Sequence, residues 1–138
     1  MPTRPVPKPT PETAEFWNGA RRGELRIQRC RACAQAYFYP RPLCPRCAST
    51  DVEWFTASGR GRLYSYVINH RPPPSFRDIA PYVIAVVELE EGPRMMTNIV
   101  GVEPSPEHLP IDLPVEVTWE RLNDDVTLPM FRPRGGGT

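Results

Sequence analysis

A mainly β fold is predicted for this chain: a short N-terminal helix, a small ribbon built around cysteines, and a compact barrel of short strands. Three observations predict it. All four cysteines fall within RCRACAQAYFYPRPLCPRC, residues 29–47, as two C-x-x-C pairs. A single amphipathic stripe at helical spacing precedes them. After Cys47 six segments rich in β-branched and aromatic residues follow, with Gly and Pro turn signals between them and no second helix.

Each element has a local cause. Residues 2–11 hold five prolines in ten positions and read as an extended lead or linker, 1–11. TPETAEFWNGARRGE offers Thr10 as N-cap and Pro11 at the first helical position. The helix is expected to run to about Arg22, with Phe16, Trp17 and Ala20 on one stripe and Gly23 as its stop. ELRIQRC alternates and reads as a strand delivering Cys30. The later strands are expected at 52–57, 62–69, 82–90, 94–102, 115–122 and 126–133. In VEVTWE the alternation places Val115, Val117 and Trp119 on one face. Residues 103–114 carry four prolines and cannot form a regular element. Short strands punctuated this way predict a small closed or partly open barrel. The tail 134–138 is expected to be disordered.

At 138 residues the chain has the length of one domain, or of a small module beside one. The region around the cysteines is too short to fold on its own core and needs a staple. Charge divides along the same line: residues 1–50 sum to +6 and residues 51–138 to −5. Lys8 is the one lysine among seventeen basic residues, and guanidinium groups suit bidentate pairing with carboxylate or phosphate. A biased genomic base composition accounts for the arginines and prolines equally well. No run of about 18 apolar residues exists to span a bilayer, and the first residues have no apolar core of a secretory signal. The expected compartment is therefore the reducing cytoplasm, where thiols stay reduced.

Four thiolates in two C-x-x-C turns suit a tetrahedral metal, and four protein ligands leave no open position for water or substrate. Cys30, Cys33, Cys44 and Cys47 are thus expected to hold a structural Zn2+. Tetrathiolate iron of the rubredoxin kind and a metal-free ribbon stay open as alternatives. A thioredoxin-like redox pair would need a βαβ context that is absent here. Ala34 and Ala48 follow the second cysteine of each pair, where glycine is common. This reduces backbone freedom but removes no ligand.

The order of these features resembles a known family. FWNGARRGELRIQRCRAC, YPRPLCPRC, GRGRLYSYVINHR, PYVIAVVELEEGPRMMTNIVG, PVEV and VTLPMFRP together look like proteins with an N-terminal helix, a rubredoxin-like zinc ribbon and an OB-fold that accompany enzymes of acyl-CoA metabolism. The resemblance covers about Glu15 to Pro133. It implies a helix and ribbon over 12–50 and a five-stranded OB-fold barrel over 51–133. It also implies an accessory, non-catalytic role beside a thiolase-like, lipid-transfer-type subunit, or fusion to a hot-dog-fold hydratase. In one branch of the family the complex is an aldolase that cleaves the side chain of steroid-CoA thioesters.

The residues themselves are compatible with a chain that is not catalytic alone. His70 and His108 sit beside proline-rich stretches, and no Ser or Cys joins them in a known motif. The loop NHRPPPSFRDIAP, 69–81, is a candidate partner or ligand arm through Asn69, His70, Arg71 and Phe76. Phe16, Trp17, Tyr37 and Tyr39 are candidate partner-facing aromatics. Tyr64, Tyr66 and Phe131 could stack bases, but the acidic barrel half speaks against nucleic acid. A rubredoxin-like electron carrier is the one self-contained activity left.

Overall fold

A computed structural model of the chain describes residues 7–71, 74 and 80–134. The first part of the proline-rich lead (1–6), Phe76 with most of its loop, and the tail 135–138 lie outside the described residues.

The helix starts as expected. Pro11–Thr13 form a 3-10 turn leading into α1 (Ala14–Arg21), and the Thr10 N–H donates to the Thr13 hydroxyl at 2.9 Å. Glu15 lies in its first turn and Arg21 in its last, each complementing the helix dipole. Gly23 stops it at φ +77°. Its N–H donates to Ala20 O at 3.0 Å and that of Glu24 to Gly19 O at 2.8 Å, the paired bonds of a Schellman cap.

β1 (Arg26–Cys30) is the centre of a three-stranded antiparallel sheet in the order β2-β1-β3, with β2 at Ala36–Tyr37 and β3 at Val52–Thr56. Two strands depart from the expected plan: β2, where no strand is expected, and β3, whose place differs. The residues of β3, expected on the barrel side of position 51, pair with β1 from Arg26↔Thr56 to Cys30↔Val52. Side chains explain the choice: Arg29 and Arg31 both donate to Glu53, at 3.0 and 3.3 Å, and the Arg29 guanidinium lies 4.5 Å from the centroid of Phe55.

The remaining strands, β4 (Arg60–Asn69), β5 (Tyr82–Leu89), β6 (Arg94–Ile99), β7 (Pro114–Arg121) and β8 (Thr127–Pro133), close a barrel in the order β4-β5-β6-β8-β7. Five strands in this order form the expected OB-fold. Alternation is clearest in β5, where Val83, Ala85, Val87 and Leu89 point inward and are buried. A bulge between Leu63 and Ser65 in β4 turns Tyr64 outward, where the Arg94 guanidinium sits 3.9 Å from its ring centroid. Between β6 and β7 the proline-rich segment is irregular apart from a 3-10 turn at Pro106–His108, and Leu109 from it is buried in the core. Among the described residues no helix is long and apolar enough to cross a membrane.

A single core joins the parts. Phe16 and Trp17 of α1, with Leu25 and Ile27 around β1, belong to the same buried cluster as Leu63, Val87, Val115 and Phe131 of the barrel. Gly61 in β4 allows the closest backbone approach: a Cβ there would stand 2.5 Å from Glu88 O and 2.8 Å from a Val87 methyl. Because the clash is partly with backbone, repacking cannot relieve it. Gly61→Ala is expected to destabilise the fold by roughly 1–3 kcal/mol, read as a lower urea midpoint at unchanged m-value.

Candidate metal centre and partner surface

The two C-x-x-C turns are built alike. Cys30 O accepts from Ala34 N–H at 2.8 Å, and Cys44 O from Ala48 N–H at 2.9 Å. Ala34 and Ala48 both take φ +62°, so alanine adopts here the left-handed conformation that glycine fills without penalty. Backbone N–H groups also point at sulfur: Cys33 N–H reaches Cys30 Sγ and Arg46 N–H reaches Cys44 Sγ, each at 3.4 Å.

All four Sγ atoms lie within 4.8 Å of one another. Cys30 and Cys47 Sγ are 3.6 Å apart, and Cys33 and Cys44 Sγ 3.7 Å. Sulfurs around a tetrahedral ion at about 2.3 Å stand about 3.8 Å apart, so the donor set and its spacing fit a metal. Backbone N–H groups and neighbouring sulfurs shift the thiols in opposite directions, Cys33 and Cys47 up and Cys44 down. The Cys47 and Arg46 N–H groups pull the Cys44 thiol down to about 7. Cys47 is pushed up to about 11: the Ser49 N–H favours its thiolate, but Cys30, desolvation, Cys44 and Cys33 together outweigh that bond. Four thiolates repel one another until a cation sits between them. Cys30 and Cys44 are buried, which anchors the centre on the sheet side.

The expected partner-facing aromatics divide. Phe16 and Trp17 are buried and pack edge-on at 4.9 Å between ring centroids. Tyr37 is buried too, its hydroxyl donating to Arg41 O at 3.0 Å. Phe16 and Trp17 join the core through the face that α1 lays against β1 and β8, and their edges also line the groove described below; Tyr37 is buried in the ribbon sheet. Tyr39 is exposed at 47%. In the loop, Asn69 Nδ2 donates to the Tyr82 hydroxyl and its Oδ1 accepts from Arg71 N–H, so Asn69 shapes the start of the turn. His70 and Arg71 are exposed.

His108 forms no catalytic relay. Ser105 Oγ lies 2.7 Å from its Nδ1, and the Glu103 carboxylate lies 3.7 Å from that same nitrogen. A serine–histidine–acid relay needs both ring nitrogens. Sequence reasoning missed a groove of about 480 Å³ between β6 and β8, closed at one end by α1 and the ribbon, whose lining includes Tyr39, Arg41 and Met96. The double methionine of β6 was its only sequence signal.

Comparison with known proteins bears directly on this architecture. Residues 17–53 match the model of the ChsH2 rubredoxin-like zinc ribbon domain, and residues 54–120 that of the ChsH2 C-terminal OB-fold domain. A DUF35 domain-containing scaffold protein of Methanocaldococcus jannaschii is 41% identical over 98 residues, covering 70% of this chain and 68% of that protein. The chain belongs to the ChsH2-type DUF35 family. A probable enoyl-CoA hydratase alpha subunit of Thermomonospora curvata is 42% identical over 131 residues, covering 94% of this chain and 40% of that relative. A 3-oxo-4,17-pregnadiene-20-carboxyl-CoA hydratase alpha subunit of Mycobacterium tuberculosis is 38% identical, covering 82% of this chain and 35% of that relative. The chain thus spans about two fifths or less of these two hydratase subunits. One solved structure, titled Ltp2-ChsH2(DUF35) aldolase, superimposes with a TM-score of 0.80 at 41% identity over 94% of this chain and 99% of the matched one.

Within this DUF35 architecture the centre yields two predictions. Cys44→Ser is expected to lose its metal by elemental analysis and to speed amide exchange across 31–50, while the barrel, which shares its core with β1, keeps its protection. Ala48→Gly removes a left-handed alanine costing about 1–2 kcal/mol and adds about 0.5–1 kcal/mol of glycine entropy. It is expected to slow metal loss to a chelator relative to wild type.

Proposed function

We propose that this chain is an accessory, non-catalytic component that binds and completes a thiolase-like acyl-CoA enzyme, acting in retro-aldol cleavage of steroid side-chain CoA thioesters. The observation that carries the reading is the match, over nearly the full length of one chain, to the two-component Ltp2-ChsH2(DUF35) aldolase. A relative named as a benzoylsuccinyl-CoA thiolase subunit, 28% identical over 115 residues, supports a thiolase-like partner, and the steroid-acyl relative above supports a steroid acyl-CoA as substrate class. The chain's own residues agree: among the described residues, the one Ser–His contact uses the wrong geometry, and the thiolates are committed to each other. Partners are a thiolase-like subunit and, for chains of the hydratase type, a hot-dog-fold hydratase domain. The acyl-CoA is handled through the complex.

Zn2+ is the proposed metal. It has no redox chemistry and takes four thiolates tetrahedrally, so its part is to hold the ribbon. A colourless protein with one equivalent of zinc supports this assignment, and a red protein carrying iron would replace it with an electron carrier.

The functional test is reconstitution with the Ltp2 subunit of the matched aldolase and a steroid whose side chain is a β-hydroxyacyl-CoA thioester. Cleavage to a ketone and a shortened acyl-CoA is expected in the mixture and not with this chain alone. Turnover by the purified chain without Ltp2 would refute the accessory role.

A further inference from the structure

The groove between β6 and β8 carries an inference that rests on the accessory reading and deepens it by naming a docking surface. β6 and β8 run parallel with a single registered pair, Ile99↔Phe131, and Val100 N–H donates to Phe131 O at 2.8 Å. Toward the start of β6 the strands part. Main-chain groups alternate sides along a strand. Val100 donates toward β8 and Pro93 O accepts from β5, so the N–H and C=O groups of Arg94 and Met96 face the groove. β8 cannot answer them there. Pro129 brings no N–H, and its carbonyl accepts from the Thr97 hydroxyl at 3.1 Å. Among the described residues this stretch of β6 is therefore a free strand edge within an otherwise closed barrel.

The surroundings specify what would cover it. The groove is walled by Trp17, Tyr39, Leu128 and Met130, and Met96 beside it is 71% exposed. Its charged residues are Arg41 and Arg94, with no carboxylate in the lining. Arg94 already pairs with Glu88, whereas among the described residues no carboxylate pairs with the Arg41 guanidinium. A second copy of the chain is a poor occupant, since two such edges meeting across a twofold would set arginine against arginine.

We propose that this groove receives an extended, carboxylate-bearing segment of the thiolase-like subunit, which adds a short strand to the free edge of β6 at Arg94–Met96. Main-chain pairing supplies the register, the apolar walls and the flexible Met96 accept its side chains, and Arg41 takes the carboxylate.

Three variants and one direct readout test this on the full chain with Ltp2. Met96→Pro deletes one groove-facing N–H and leaves the donors at Met95 and Thr97 for the β5 ladder, while Met96→Ala removes the side chain and keeps the N–H. Met96→Pro is expected to weaken Ltp2 binding about tenfold beyond Met96→Ala, the scale of one main-chain hydrogen bond left unmade. Arg41→Glu is expected to weaken it at least as much as Met96→Pro. In the wild-type complex the amides of Arg94 and Met96 should become protected from exchange, a readout that holds even if Met96→Pro fails to fold. Wild-type affinity in Arg41→Glu together with unprotected amides overturns the docking site and leaves the accessory reading standing. Failure of the wild-type chain to bind Ltp2 at all overturns both. Self-association that Arg41→Glu abolishes would make the groove a contact between copies and overturn the proposal as well.

Discussion

β1 has to serve two structures at once, and the rest of the molecule is arranged around that demand. Its Ile27 lies in the core shared with the barrel, while its last residue, Cys30, is the first thiol of the metal centre. The flanking strands hold it in register on both edges, Gln28↔Tyr37 on one side and Gln28↔Trp54 on the other. Moving β1 by one residue would turn Ile27 out of the core and carry Cys30 away from Cys47. The ribbon is thus not a bead on a string. Its metal fixes the far end of a strand whose near end is barrel core.

The same arrangement accounts for where the helix goes. α1 can reach β1 and β8 because Gly19 leaves room: a Cβ there would stand 2.3 Å from Arg26 Cγ and 3.0 Å from Glu24 O. Glu15 then meets the Arg26 guanidinium at 2.9 Å. Exposed pairs of this kind add little stability alone, but they orient a helix that apolar burial has already placed. With α1 seated, Phe16 and Trp17 roof the end of the β6–β8 seam, and the surface left open there is apolar with a basic rim.

The accessory role proposed above places function in what the molecule offers a neighbour. Among the described residues the four thiols face one another in one centre, and the Ser105 hydroxyl and Glu103 carboxylate meet the same nitrogen of His108. Charged residues on the outer barrel are paired among themselves: Arg62 with Glu88 and Asp112, and Arg60 with Glu90. Arg62 and then Arg94 hold the Glu88 carboxyl below its ordinary range, as expected for a carboxylate committed to two guanidinium groups.

The sequence by itself determined whatever depends on neighbours along the chain. C-x-x-C turns bring sulfurs together through local backbone geometry, so Cys30, Cys33, Cys44 and Cys47 were legible as one centre. Gly23 was legible as a stop, and period-two alternation marked the strands within a few residues. Tertiary structure alone decided everything that depends on which face meets which. An apolar stripe such as Phe16 and Trp17 reads the same whether it meets a partner or its own core, and only the packing of α1 shows that it is core. Val52–Thr56 reads as one more barrel strand, and only the pairing of Glu53 with Arg29 and Arg31 across 24 and 22 residues assigns it to the ribbon sheet. The seam at Met96 and Pro129 could not be foreseen, because a gap between strands 32 residues apart in sequence leaves no local pattern; it is a property of how the barrel closes.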